Sequence, residues 1–414
     1  MIPLALDEIA ALAPGRLDRA PWASEVTGVQ VDSRRIAEGE LFVAVGRGTD
    51  FRKHAFARGA AATLVPDDAF AALGAIGRAV RDRASARVVG ITGSMGKTST
   101  KDLLAALCAP SARTIANEGN FNNEIGVPLT LCRLEPETEV CILELAMRGL
   151  GQIAELCEIA RPEIGVVTNV GPVHLELVES LDGVVRAKSE LVAALPPGGV
   201  AIVPEDFPVE REDIRVVRLG EPVAEVSDVR TSVGGVSFNF VAEHQAQNAA
   251  AALAALDALG LPRPERVDVD FSPWRGEERE LPGGGLLIND AYNANPVSMR
   301  AALAHLAATA GERRRVAILG DMAELGPAAP AYHEEIGREL APHGVDVLLA
   351  VGELARAYLD GAGEGVPVRR WVPDAETAAT KVTELVLPGD VVLVKASRAL
   401  GLERVAEALA AVSA

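Results

Sequence analysis

Short aliphatic runs alternate with longer stretches of helical periodicity over most of this chain, and this alternation restricts the fold more than any other feature. RVVGI (87–91), VCILE (140–144), IGVVT (164–168) and VAIV (200–203) are bounded by Gly, Pro or polar residues, with helical stretches such as LGQIAELCEIA (150–160) between them. Strands that are apolar on both faces need cover on both, so the pattern predicts a mostly parallel sheet flanked by helices. After about residue 281 it restarts with GLLIND, RVAILGD, VDVLLAVG and DVVLVKAS, with helices predicted over 298–309 and 332–341 and at the C-terminus. That restart predicts a second doubly wound sheet. Residues 1 to about 84 read as a smaller α/β unit around GELFVAV (39–45) and AATLV (61–65). The expected fold is α/β in three domains, 1–84, 85–280 and 281–414, with a central P-loop-type parallel sheet and a C-terminal Rossmann-like one.

A chain of 414 residues is too long for one hydrophobic core, which agrees with that division. Its net charge of −18 argues against a nucleic-acid partner, which needs clustered cations to neutralise phosphates. No run approaches the roughly 18 apolar residues that span a bilayer. The start, MIPLALDEIAALAPGR, lacks a basic segment leading into a long apolar one, so a cytoplasmic protein without membrane insertion is expected. Cys108, Cys132, Cys141 and Cys157 have no CxxC spacing and sit among apolar residues, which predicts buried thiols. Of 40 basic residues only six are lysine. Where arginine is so strongly preferred, a retained lysine marks a place that needs a compact ammonium or a nucleophilic amine. Lys97, Lys188 and Lys395 all fall inside motifs.

The strongest local signal is Gly93-Ser94-Met95-Gly96-Lys97-Thr98, directly after strand RVVGI and opening a helix. In that context the loop amides and the helix N-terminus, through Ser99, cradle phosphate oxygens. Lys97 neutralises β- and γ-phosphate charge, and Thr98 offers its hydroxyl to Mg²⁺. Ile91 stands where the usual spacing has glycine, so this is a shortened GxxGKT form. Glu144 ends strand VCILE, and His174 follows the next strand in TNVGPVHLE. Both fall at the carboxyl edge where ligands bind in such sheets, and with Thr98 they form a candidate magnesium shell. Lys188, in RAKSEL, reads by itself as readily as a solvated helix cation as a site residue.

The elements GITGSMGKTSTK, NEGNFNNEIGVPLTL, LELAMRG, TNVGPVHLE, RAKSEL, EHQAQNAAAA, NDAYNANPVSM, LGDMAELG and VKASRALGLE, in this order, resemble those of the Mur ligases of peptidoglycan synthesis. The shortened P-loop belongs to that family too. Tyr292-Asn293-Ala294-Asn295-Pro296 and Asn120-Phe121-Asn122-Asn123 are similar to the member that adds D-alanyl-D-alanine to UDP-N-acetylmuramoyl-tripeptide, and VTGVQVDSRRIAEGELFVAV resembles the uridine-nucleotide domain of that member and of the one that adds diaminopimelate or lysine. The resemblance implies an ATP-dependent amide ligase that works through an acyl phosphate, with these two compounds as its small-molecule partners. It also implies two Mg²⁺ ions.

Carried over by residue, the resemblance gives Lys97 and Thr98 to the ATP phosphates and the first metal, and Glu144 as the bridge to a second. His174 is implied as a ligand of that second metal, and Lys188 matches a lysine that becomes carbamylated. Asn248, with His244 beside it, matches the adenine contact, Arg275 an arginine near the γ-phosphate, and Asp290 the acid on the ribose. Asp32, Ser33 and Arg34 match the segment that meets the uridine nucleotide. Asn120, Asn122 and Asn123 are implied to face the muramoyl end. Tyr292 and Asn295 are implied substrate contacts, as are Lys395, Ser397 and Arg398 on the C-terminal side. Another amide ligase of this fold, adding a diamino acid, and an ATPase of the same fold are the alternatives left open.

Overall fold

The structure is a computed structural model and describes residues 1–411, apart from Asn120, Val173, His174, Glu179, Asp228 and Val229 and the side chains of Leu175, Glu243 and His244. The expectations for Asn120, His174 and the His244 side chain therefore lie outside the described residues. Two compact units form, one of residues 1–169, 185–240 and 246–269, the other of 170–184, 241–245 and 270–414.

The first unit opens on a small sheet of β1 (Gly15–Arg19), β2 (Val29–Gln30), β3 (Leu41–Val43) and β4 (Ala62–Pro66), in the order β1-β4-β3-β2. Ile36, Phe42, Ala44, Ala55 and Ala60 make a core beside it. Helix α1 (Ala69–Arg83) follows, started by the Asp68 side chain accepting from the amides of Phe70 and Ala71. Its glycines allow close packing. A Cβ at Gly77 would lie 2.8 Å from Pro128 Cα, and one at Gly74 3.1 Å from Ile159. The helix before residue 84 is thus packed on the helices Gly126–Leu131 and Gln152–Ala160, and the N-terminal and central segments share one unit.

The central sheet consists of β5 (Arg87–Thr92), β6 (Thr114–Ala116), β7 (Val140–Glu144), β8 (Ile164–Val167), β9 (Val200–Pro204) and β10 (Arg215–Leu219). All pairings are parallel, in the order β10-β9-β8-β5-β7-β6. β7 and β8 are buried along their whole length, as expected of strands covered on both faces. Register pairs Ile91 with Glu144 and Thr92 with Val167, so the carboxyl ends of β5, β7 and β8 lie level. Helix α2 (Lys97–Cys108) starts at that edge. A further sheet of Ala224–Val226, Thr231–Val233, Val236–Phe238 and Arg266–Val267 was not legible as strands in the sequence.

The second unit carries β11 (Glu277–Leu281), β12 (Gly285–Asp290), β13 (Arg315–Gly320), β14 (Val347–Val351), β15 (Val368–Val372) and β16 (Val391–Lys395), in the order β11-β12-β16-β13-β14-β15. Only β11 runs antiparallel to its neighbour. Alternate residues of β13 enter opposite cores: Ala317 and Leu319 pack with Met299, Leu303 and Ile336, while Val316 and Ile318 pack with Val405 and Leu409. This is the doubly wound arrangement expected.

Beyond β13 a buried polar group is fixed in one protonation state. His333 Nδ1 lies 2.6 Å from the Ala329 carbonyl, which can only accept, and Nε2 takes the Met322 N–H at 2.9 Å, which can only donate. The imidazole is therefore neutral, and burial lowers its pKa below the ordinary 6.5. The unfolded chain binds this proton near pH 6.5 and the folded chain only at lower pH. Stability from this residue is thus complete above pH 6.5 and is lost as pH falls below it. Melting temperature should fall from pH 7 to pH 5.5, and His333→Gln, which keeps an acceptor for Met322, should flatten that slope. An unchanged slope in the variant would remove His333 as its source.

All four cysteines are buried and unpaired, as the sequence suggested, and burial pushes their thiols up to about 12. Among the described residues no helix is long and apolar enough to cross a membrane.

Candidate active site

The loop between β5 and α2 is built on two glycines that the structure cannot replace. Gly93 has φ +150°, and a Cβ there would sit 1.9 Å from Thr168 Oγ1. Gly96 has φ +77°, and its Cβ would sit 2.1 Å from Asn248 Oδ1. The loop is tied to the chain after β8: Met95 N–H donates to Asn169 Oδ1 at 2.9 Å, Ser94 N–H to the Asn169 carbonyl at 3.2 Å, and Thr168 Oγ1 to the Met95 carbonyl at 2.5 Å. Thr168 and Asn169 thus shape the loop, although sequence reasoning did not single them out. Lys97 Nζ donates back to the Gly93 carbonyl at 2.8 Å. Asn248, on helix α4 (Glu243–Leu259, with α3 being Leu181–Ala193), lies against the same loop.

Glu144 is 1% exposed at the end of β7. Its Oε2 accepts from Thr98 Oγ1 at 2.5 Å and its Oε1 from Asn122 Nδ2 at 2.8 Å. Asn123 caps the helix Gly126–Leu131, accepting from the amides of Ile125 and Gly126 at 3.3 and 3.1 Å. Both asparagines expected to face the muramoyl end therefore have partners within the protein.

Lys188, on α3, is 1% exposed, and among the described residues no carboxylate forms an ion pair with it. Burial and then the Lys97 charge hold its pKa well below that of an ordinary lysine. The solvated helix cation that the sequence left open is excluded by this burial.

Asp32, Ser33 and Arg34 form a separate group. Arg34 bonds Asp32 through both its backbone and its guanidinium, holding that carboxyl down to about 2, and Ser33 Oγ pairs with His54 Nδ1 at 3.0 Å. His54 carried no assignment from sequence.

In the second unit, register sets Asp290 beside Lys395 at the carboxyl edge of the sheet. Lys395 Nζ donates to Asp290 Oδ2 and, at 2.9 Å, to the Asn293 carbonyl. Ser397 Oγ accepts from Ala323 N–H at 2.9 Å. Asn295 starts helix α5 (Pro296–Ala310) through a capping box with Ser298, a sufficient structural reason for that residue. Arg275 stacks on the Tyr292 ring, 3.9 Å from its centre, and its Nε is buried without a hydrogen-bond partner among the described residues. Arg398 stacks on Trp274 at 4.4 Å. Trp274 holds φ +63°, an uncommon backbone state for a bulky residue.

Among the described residues no three His, Cys, Asp or Glu side chains converge as a ready metal cage. What Thr98 and Glu144 offer is a hydroxyl and a carboxylate side by side. That set fits Mg²⁺, which keeps several waters and is usually bound by one or two carboxylates plus substrate phosphates.

The chain matches the model of the Mur ligase middle domain over residues 91–256 and that of the Mur ligase glutamate ligase domain over 274–398. Relatives named UDP-N-acetylmuramoyl-tripeptide–D-alanyl-D-alanine ligase include one from Mycobacterium tuberculosis, 36% identical over 99% of this chain and 98% of the relative. Another, from Escherichia coli, is 34% identical over 99% of both. Of solved structures, MurF from Acinetobacter baumannii is similar with TM-score 0.85 and 30% identity over 99% of both chains. MurF ligase from Thermotoga maritima, in complex with ADP, is similar with TM-score 0.80 and 28% identity over 93% of this chain and 97% of that one.

Proposed function

We propose that this chain, which belongs to the Mur ligase family, joins D-alanyl-D-alanine to UDP-N-acetylmuramoyl-tripeptide in an ATP-dependent step of peptidoglycan precursor synthesis. One observation carries this reading. Relatives named for that activity align over 99% of the chain, including the first 90 residues, which lie outside both family models. We read residues 1–84 as the uridine-nucleotide domain, 85–280 as the ATP domain and 281–414 as the ligase domain.

A carboxylate does not react with an amine at neutral pH because its oxygen is a poor leaving group. Transfer of the γ-phosphoryl group to the carboxylate gives an acyl phosphate and ADP. The amine of D-alanyl-D-alanine then forms the C–N bond as the C–O bond to phosphate breaks, and the ammonium protons pass to solvent. In this reading the amides of Gly93 and of Gly96–Ser99, together with the Lys97 ammonium, hold the phosphates, while those of Ser94 and Met95 stay bonded to Asn169, and catalysis is largely positioning and charge neutralisation. Thr98 Oγ1 and the Glu144 carboxylate would hold Mg²⁺, which when bound neutralises phosphate oxygens. As the resemblance implies, Arg275 is assigned toward the γ-phosphate and Asp290 toward the ribose.

Lys188 in this reading is carbamylated. Its depressed pKa supports the step, because only a neutral amine adds to CO₂, forming the N–C bond and releasing one proton. The product is an anionic oxygen donor suited to a second Mg²⁺, and arginine cannot form it.

The test is phosphate release from ATP with UDP-N-acetylmuramoyl-tripeptide, with and without D-alanyl-D-alanine. Release should depend on the dipeptide and match amide formation one to one. Release that ignores the dipeptide, or a preference for a diamino acid, would overturn the assignment.

A further inference from the structure

We infer that Asn117, held in place by Lys101, is a positioning residue of the ligation reaction: it sets the end of β7 so that the Glu144 carboxylate meets Thr98. The inference rests on the reading above, in which Glu144 and Thr98 hold Mg²⁺.

Asn117 follows the short edge strand β6 and is 1% exposed. Its backbone N–H makes one more bond to β7, to the Ile142 carbonyl at 3.3 Å. From there the side chain takes over. Asn117 Oδ1 accepts from Glu144 N–H at 2.9 Å, and Nδ2 donates to the Glu144 carbonyl at 3.3 Å. A side-chain amide carries the same donor and acceptor as a peptide unit, so it continues the ladder that β6 has left. On the opposite side β5 pins the next residue, with Leu145 N–H donating to the Ile91 carbonyl at 2.8 Å. Asn117 Nδ2 also donates to the Phe121 carbonyl at 2.8 Å, anchoring the turn that carries Asn122 to Glu144 Oε1.

Lys101 closes the arrangement. It is 3% exposed, and its Nζ donates to the Asn117 carbonyl at 2.9 Å and lies 2.9 Å from Asp102 Oδ1. Thr98 and Lys101 stand three residues apart on α2, which places them on one face. That face therefore touches β7 twice, through Thr98 to Glu144 and through Lys101 by way of Asn117 to the Glu144 backbone. A ring of four residues fixes both the backbone and the carboxylate of the metal ligand. An ammonium suits the inner corner of this ring, where a planar guanidinium is bulkier, and Lys101 is another of the few lysines kept in an arginine-rich chain.

The experiment is Mn²⁺ binding to the whole protein with a non-hydrolysable ATP analogue, read from the free-Mn²⁺ resonance signal, together with kcat, KM values and melting temperature. Asn117→Leu should raise the Mn²⁺ Kd by about 10-fold or more, the scale seen when a partner that orients a metal ligand is removed. It should lower kcat, with the KM for D-alanyl-D-alanine within about threefold. Lys101→Met, at the other end of the ring, should act in the same direction, and it serves as the test if Asn117→Leu does not fold. A folded variant of either kind with Mn²⁺ Kd within about twofold of the parent would overturn the inference. Glu144→Ala separates the two levels. If it leaves the Mn²⁺ Kd unchanged, the metal reading itself fails and takes this inference with it; if it weakens Mn²⁺ while both ring variants do not, the inference alone fails.

Discussion

Lys188→Arg should be nearly inactive, losing roughly 10²-fold or more of turnover, although it preserves the positive charge. The parent lysine is fully buried beside another cation, a setting that favours the neutral amine, and among the described residues it has no ion-pair carboxylate. Arginine stays protonated in proteins and cannot become a carbamate. The substitution therefore puts a permanent, larger cation where the proposal needs an anion, and a buried charge without a counter-charge also destabilises the fold. The two effects are separable. Lys188→Ala removes both charge and bulk, so it should fold, fail in turnover, and regain part of its activity with added formate or acetate. Full activity in Lys188→Arg would refute the carbamate. So would an alanine variant of normal melting temperature that no small carboxylate rescues.

Lys97→Ala should lower turnover by roughly 10²-fold or more, the scale for losing one preorganised donor to developing charge. The melting temperature should change little, because Lys97 is only half-buried, and the loop retains its bonds to Asn169 and Thr168. The variant carries a second readout. Lys97 is the charge that adds to burial in depressing the Lys188 pKa, so its removal should let that pKa rise and make CO₂ uptake by Lys188 need a higher pH. Near-normal turnover would mean that the phosphates are held elsewhere.

The parts of this fold that were legible in the sequence share a physical cause. β7 and β8 are aliphatic because both faces are covered, and the glycines of the loop are forced by positive φ and by the approach of Thr168 and Asn248. The edge strands were not legible. β11, with sequence EEREL, has four exposed residues of five, since an edge strand with one wet side needs no aliphatic run. β6 is three residues long and, like β10, only partly buried, for the same reason. In the candidate site, motif chemistry pointed to Lys97, Thr98 and Glu144, and the family resemblance to Lys188. It passed over Asn117, Thr168 and Asn169, whose work is done through backbone groups that only the folded chain brings near. It also could not tell that Asn123 and Asn295 begin helices, because an asparagine that caps and one that meets a ligand look alike in sequence.

The distribution of lysine has a practical side. Lys101, Lys188 and Lys395 are buried and Lys97 is half-buried, which leaves Lys53 and Lys381 as the lysines on the open surface. Amine-directed reagents therefore meet a molecule with two outward handles and an N-terminus. Coupling it to a resin or a dye through amines should give a nearly uniform product, with attachment points that avoid the buried lysines.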